Sequence, residues 1–414
     1  MILVSVLASL KAVSRRGFFH LLTSNVLIGF LGFASQLFVA KVLGPENIAS
    51  IKIYQNYINI IAVVAMVGMN TAVLKLCSES DDSFIRANVL RVAFLSVLVI
   101  SGIAITIFKV FLKNDIILSD SSTLDLFRKY TFVVLLINFN YLFSAYYQAL
   151  QHIKKLAIIQ LITKTIGIII IIHGSGKFGV NGYMIGFVSL YLLSSFAFLL
   201  DKWKVFFQPF VKLDTVGKEF ITYSSFGYLS NLTSQISILL DIIILNSFHF
   251  TRWEIGQYGF ASIVISGFQL IITSEQQFFI PIYAKLGSQQ KEATYYKLRK
   301  NSVFYSILLV GLGSISYFIL VFSVFTEYKE SLLFFLVLLI SWGIRFNYCN
   351  EMMFLFSKGC IRSNFFISLT SVFINFTAQL ILIRSIGVVG AALGQLCTSL
   401  IVLVLYNKAV KKCF

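Results

Sequence analysis

The sequence predicts an all-α polytopic membrane protein of about twelve transmembrane helices, arranged as two parallel six-helix repeats around a central cavity. Three observations carry this expectation. Of the 414 residues, 58% are hydrophobic and 12% charged, against about 45–50% and about 25% in soluble domains. Apolar windows of roughly 20 residues, long enough to cross a hydrocarbon core about 30 Å thick, follow one another almost without pause. Short residue patterns also recur at an offset of 207 or 208, against a half-length of 207 for the 414-residue chain.

The expected spans are 18–42, 53–76, 87–111, 130–151, 156–173, 180–200, 219–246, 256–282, 302–325, 331–356, 362–385 and 387–407. Each is expected to be a helix, because only helices and closed barrels satisfy the backbone inside lipid. The apolar stretch 1–10 precedes the charges Lys11, Arg15 and Arg16. A signal peptide has the opposite order, so 1–17 reads as a cytoplasmic lead-in. A six-helix lobe over 18–200 follows, then a linker over 201–218 that holds Pro209, a second lobe over 219–407 and a tail over 408–414.

The net charge of +17 does not indicate a nucleic-acid partner. With the N-terminus placed inside, the cytoplasmic segments hold 22 of the 34 Lys and Arg residues and the opposite side holds ten. That bias is the positive-inside signature, and it places both termini in the cytoplasm. The five cysteines, Cys77, Cys349, Cys360, Cys397 and Cys413, show neither paired nor metal-ligand spacing and read as small apolar residues.

Three matches support a duplication. Phe139-Asn140-Tyr141 reappears as Phe346-Asn347-Tyr348. Gly179-Val180-x-Gly182-x-x-x-Gly186 reappears as Gly387-Val388-x-Gly390-x-x-x-Gly394. Glu46-Asn47-Ile48-Ala49 stands opposite Trp253-Glu254-Ile255-Gly256. Six spans per unit is an even number, so both copies share one orientation, as in transporters built from parallel repeats. Glycines four apart let helix backbones approach closely in lipid, so the glycine pattern reads as packing.

Polar residues inside spans need protein or a water-filled cavity to face, so their spacing carries information. The eighth span sets Tyr258, Ser262, Ser266, Gln269, Thr273 and Gln276 on one face. The second offers Gln55, Asn59 and Asn70, the seventh Ser224, Tyr228, Asn231, Gln235 and Asp241, and the first Asn25 and Gln36. Such stripes form either hydrogen-bonding seams between helices or the lining of a shared lumen. Four stripes in corresponding spans of both halves favour the lining.

Four ionisable residues lie well inside spans: Lys164, Asp241, Glu275 and Arg345. They could cancel as structural ion pairs. The functional alternative gives Lys164 and Arg345 an anionic head group and gives Asp241 and Glu275 ion or proton coupling. His173 and His249 carry no metal-ligand spacing. No nucleotide-binding loop, metalloprotease motif or external acidic pair is present, so neither an enzyme nor a bound cofactor or metal is expected.

Lys41-Val42-Leu43-Gly44-Pro45-Glu46 resembles the "R-x-L-G-P-E" signature of polysaccharide flippases, and Glu254-Ile255-Gly256-Gln257-Tyr258, following Asp241, resembles their "E-x-G-x-Y" pattern. Gly68-Met69-Asn70 and Pro281 also fit, and the resemblance covers about residues 14–410. The chain thus resembles the Wzx-type O-antigen or polysaccharide repeat-unit flippases of the multidrug/oligosaccharidyl-lipid/polysaccharide (MOP) exporter superfamily. Lys41 stands where the signature has arginine, and Ala49 where it has glycine.

The resemblance implies a MOP/MATE-like fold and alternating-access export of undecaprenyl-pyrophosphate-linked oligosaccharide across the bacterial inner membrane. A polysaccharide polymerase and a chain-length regulator are the expected partners beside the bilayer and the lipid-linked glycan. Lys164 and Arg345, helped by Lys41, would hold the pyrophosphate; Asn59, Asn231, Gln269, Thr273 and Gln276 would line the glycan's path. The alternatives are a drug/cation antiporter or peptidoglycan-precursor flippase of the same superfamily, or a membrane-embedded polysaccharide polymerase.

Overall fold

The structure is a computed structural model that describes residues 18–113, 121–207 and 216–413. The lead-in 1–17 and residues 208–215 of the linker, with Pro209, lie outside them, as do the side chains of Asn25, Asn231 and Pro281. Among the described residues every regular element is helical: α1 (Phe18–Met66), α2 (Met69–Glu79), α3 (Ser83–Lys113), α4 (Ser121–Tyr130), α5 (Val133–Ala149), α6 (Ile153–Lys202), α7 (Val216–Ser247), α8 (Arg252–Lys285), α9 (Ser288–Ser323), α10 (Ser331–Ser357), α11 (Ile361–Ile386) and α12 (Val389–Cys413). Short 3-10 helices follow α6 (Trp203–Phe207) and α9 (Thr326–Tyr328).

Ten of the expected spans each fall on one of these helices; 53–76 is divided between α1 and α2 at Val67 and Gly68, and 130–151 begins at the end of α4 and continues as α5. Among the described residues, eight helices are long and apolar enough to cross a membrane. Two of them bend where a glycine takes a left-handed conformation: α1, which carries the span 18–42 and the first part of 53–76, at Gly44 (φ 74°), and α6, which carries 156–173 and 180–200, at Gly179 (φ 59°). Only glycine adopts such a φ without strain. Pro45 follows Gly44 and restarts the helix, since proline at a first helical position loses no hydrogen bond. Phe304, Ile307, Phe373 and Ile381 are strongly exposed, as expected of surfaces that face lipid rather than water.

By contact, the chain divides into two compact units, Ser50–Leu239 and Leu240–Phe414 together with the described part of Met1–Ala49. In the first unit, Leu142, Phe143, Tyr147 and Phe198 build the core, and Phe94 stacks on Phe139 at 4.4 Å. In the second, Tyr317 stacks on Phe335 at 3.7 Å and Phe260 on Tyr328 at 4.0 Å. The early part of α1 packs within this second unit: Tyr328 donates to the Ala40 carbonyl at 2.9 Å, and a Cβ on Gly29 would meet Leu270 at 2.6 Å. The lobes 18–200 and 219–407 are a division by sequence repeat, whereas these units are a division by packing.

The repeat is visible in the internal geometry of each unit. Gly387 has φ 72°, matching Gly179 at an offset of 208. A Cβ on Gly182 would collide with the Gly174 carbonyl, and one on Gly390 with the Leu382 carbonyl, again 208 apart. Gly186 closes on Ile171 at 2.6 Å and Gly394 on Gln379 at 2.7 Å. Asn140 donates to the Leu136 carbonyl at 2.9 Å and Asn347 to the Gly343 carbonyl at 3.0 Å. The duplicated patterns therefore make duplicated contacts.

The cysteines depart from expectation. Cys360 and Cys413 are joined in a disulfide, although the sequence suggested five unpaired thiols. α11 and α12 run antiparallel, so the start of one and the end of the other meet, across a sequence separation of 53. Cys77 and Cys349 are free and buried, and Cys397 is free and exposed.

Candidate functional site

The most organised polar site among the described residues surrounds Asp241, in the part of α7 that belongs to the second unit. Its carboxylate is 4% exposed. It accepts hydrogen bonds from the Tyr258 hydroxyl on α8, the Gln379 amide on α11 and the Gln395 amide on α12. Gln379 also donates to the Asn375 Oδ1 at 3.0 Å, which Thr398 approaches at 3.4 Å. Four helices thus meet at one carboxyl group.

The backbone explains how the amides reach it. Gly394 has no side chain, and its open face accommodates Gln379, whose Cγ would lie 2.7 Å from a Cβ placed there. Gln395 is the next residue on α12, and Thr398 lies one turn on. The glycine pattern read as packing therefore also seats the network. In the first copy the same slot, at Gly186, receives Ile171.

Asp241 forms no ion pair with Lys or Arg among the described residues. Its three partners are neutral donors. An ionised carboxylate away from water carries a desolvation penalty of several kcal/mol, and hydrogen bonds to a charge offset about 1.5–3 kcal/mol each. The arrangement suits a carboxyl group that holds either a proton or a small counter-cation. The Gln379 Oε1 is buried and takes no hydrogen bond among the described residues.

The other candidates are more dispersed. Glu275 has a buried Oε2 without a hydrogen-bond partner among the described residues. Arg345 is exposed and makes no ion pair with Asp241 or Glu275, which share its unit. Lys164, in the other unit, is half-buried and forms no ion pair or hydrogen bond within that unit. Within the second unit, therefore, Asp241, Glu275 and Arg345 do not cancel one another's charge. Lys41 donates to the Val324 carbonyl and lies 5.8 Å from the centre of the Phe325 ring.

The α8 stripe behaves less like a seam than its spacing allows. Ser262, Ser266 and Thr273 return their hydroxyls to carbonyls of their own helix. Gln276 reaches the Cys349 Sγ at 3.3 Å. The Gln269 side chain makes no hydrogen bond among the described residues, and nor does that of Asn59 in the other unit. The two motif stretches that carry the family resemblance do meet: a Cβ on Gly256 would collide with the Pro45 carbonyl. That contact explains the glycine in the second stretch as a requirement of close helix approach.

The sequence reading singled out Asp241 and Tyr258 but not Asn375, Gln379, Gln395 or Thr398. The available signal was a pair of amides four residues apart in one apolar span, with Gln395 and Thr398 three apart in the next.

The arrangement of helices matches known membrane transporters. A lipid II flippase, MurJ, in an inward closed conformation superposes with a TM-score of 0.71 at 18% identity, covering 94% of this chain and 87% of that one. The fold is that of the MOP transporters. An inward-facing multidrug resistance MATE family transporter of the MOP superfamily gives a TM-score of 0.69 at 13% identity, over 96% of this chain and 95% of that one. A MOP superfamily transporter from Pyrococcus furiosus, described as having a binding pocket of reversed polarity, gives 0.64 at 13% identity, with 96% and 95% covered. No family model and no curated protein matches the sequence. The MOP fold is thus carried by a sequence that shares less than a fifth of its residues with any of these three structures.

Proposed function

We propose that this multi-pass membrane protein is a flippase that carries undecaprenyl-pyrophosphate-linked oligosaccharide, an O-antigen or capsule repeat unit, across the bacterial inner membrane. The two repeats would rock about a shared cavity with both termini in the cytoplasm, and transport would be coupled to a cation or proton at Asp241. The observation that carries this reading is the Asp241 network, a buried carboxylate held by neutral donors from three neighbouring helices. Coupling needs a group whose charge can be neutralised reversibly inside the membrane, and intramembrane carboxylates with such surroundings serve that role.

The substrate assignment rests on the sequence motifs at Lys41–Glu46 and Glu254–Tyr258 and on the likeness to a lipid flippase. Lys164 and Arg345 supply the pyrophosphate's counter-charges, and neither is neutralised by a carboxylate of its own unit. Asn59, Gln269, Thr273 and Gln276 offer polar surface to the glycan. The transported molecule undergoes no bond change, so no catalytic group is required.

The test is deletion of the gene, followed by analysis of accumulated lipid-linked glycan on each membrane face. Accumulation on the inner face, relieved by the wild-type protein, is the expected result. Alanine at both Lys164 and Arg345 should abolish export with the protein still in the membrane, and full export by that double variant would remove the pyrophosphate assignment. Asp241→Asn should leave binding but abolish dependence on the coupling ion. A second reading, another exporter of the same fold, is favoured by the likeness to a multidrug transporter and to a lipid II flippase. Unchanged glycan with altered drug resistance or altered peptidoglycan precursors would select it.

A further inference from the structure

One end of the unit Ser50–Leu239 is organised around a single carboxylate outside the site described above. α6 is 50 residues long and bent at Gly179, so its first and last turns return to the same end, beside the end of α5. Asp201 in its last turn accepts hydrogen bonds from Tyr147 of α5 and Lys155 of its own first turn. The Lys202 Nζ stands 3.4 Å from the same carboxylate and 4.9 Å from the centre of the Tyr147 ring. Two lysines therefore share one acid. Their neighbours Lys154 and Lys204 are exposed and make no ion pair or hydrogen bond among the described residues.

The 3-10 helix that follows has two faces. Phe206 packs against Phe94 with ring centres 5.1 Å apart, and Val205 lies on the same apolar core. Trp203 and Phe207 point the other way, 5.0 Å apart, and are 58% and 70% exposed. The positive field also registers on His152, whose imidazole is pushed below its ordinary value, first by burial and then by Lys202 and Lys155. At the equivalent end of the second unit the helix pair is closed by Cys360–Cys413 instead, and the counterpart of Trp203 is Lys411.

A membrane span that ends in exposed Trp and Phe flanked by an excess of lysines has the composition of the water–lipid boundary. Lysine near such a surface is drawn to anionic head groups. The Asp201 clasp fixes two of the four lysines in place, so their ordering does not have to accompany binding. We propose that this end is a docking surface for the phosphate head group of an anionic membrane phospholipid, held by Lys154, Lys155, Lys202 and Lys204, with Trp203 and Phe207 seated at head-group depth.

The test uses the full-length protein in nanodiscs. Three tryptophans are present, and substituting Trp253→Phe and Trp342→Phe leaves Trp203 as the reporter. Brominated phosphatidylglycerol, as a minor component of phosphatidylcholine, should quench Trp203 far more than brominated phosphatidylcholine at the same mole fraction. Lys154→Ala with Lys204→Ala touches neither Asp201 nor Tyr147 and should lower this preference by on the order of 10-fold. Lys408→Ala with Lys412→Ala removes the same charge elsewhere and should leave it unchanged. Equal quenching by the two lipids overturns the proposal, as does an intact preference without Lys154 and Lys204. Equal loss in the Lys408/Lys412 variant would reduce the effect to net charge, and abolition by inorganic phosphate or pyrophosphate would make it a soluble-anion site; either result overturns it too.

Discussion

Removing the Tyr258 hydroxyl tests the Asp241 network most directly. Tyr258 is fully buried, and its ring packs against Phe334 with centres 6.0 Å apart, so Tyr258→Phe deletes one hydroxyl and keeps the packing. The carboxylate oxygen it serves keeps Gln395 as a second donor, so no bare oxygen is left. The loss is then one hydrogen bond to a charge, about 1.5 kcal/mol at the lower end of the usual range. Neutral hydrogen bonds between membrane helices average only about 0.6 kcal/mol. A double-mutant cycle with Asp241→Asn separates the two cases. Asparagine can keep a neutral hydrogen bond, so unfolding free energies measured by SDS titration of the purified protein should show a coupling of about 1 kcal/mol, the difference between the two kinds of bond and roughly fivefold in the unfolding equilibrium. Additive single substitutions, with coupling below about 0.5 kcal/mol, would refute the placement of a charged carboxylate against this hydroxyl.

Gly182→Ala and Gly390→Ala both drive a Cβ into a neighbouring backbone carbonyl, and each should destabilise by about 1–3 kcal/mol in the same titration. Gly394→Ala meets the flexible Gln379 side chain first and should cost less than either. Asn140 bonds the Tyr191 carbonyl at 3.0 Å and the Ser195 hydroxyl at 2.8 Å on a neighbouring stretch of α6, whereas Asn347 reaches only the Ser306 hydroxyl of another helix, at 3.0 Å. Asn140→Leu should therefore be the more destabilising, by about 0.6 kcal/mol. Under native, non-reducing conditions a thiol reagent should label Cys397 and spare Cys77 and Cys349, which are buried; reduction should expose Cys360 and Cys413, as mass spectrometry would record.

How much of this was legible in the sequence depended on whether a feature was local. Helices announce themselves through runs of apolar residues, and the duplication through residues that keep their spacing. Asp241 stood out because a charge in an apolar span is costly. Its partners did not, because Gln379 and Gln395 are neutral and meet Asp241 only through tertiary packing. The bends at Gly44 and Gly179 read as breaks between spans, and the non-helical backbone at each glycine does separate two helical stretches. Hydropathy also says nothing about which neighbour a span chooses. The packing of Ala40 and Gly29 against Tyr328 and Leu270 was therefore invisible, as was the pairing of Cys360 with Cys413.

The slot opposite Gly186 and Gly394 has a further consequence. In each copy the glycine and its partner fix how near two helices lie, and the partner's side chain, Ile171 or Gln379, is left free to differ. Mechanical support and chemical identity are thereby written in separate residues. A protein built this way can acquire or lose a polar centre by one substitution while its helices stay where they are. Ile171→Gln would place an amide in the matching slot of the first copy, and the older half of the design question, where to put the backbone, would already be answered.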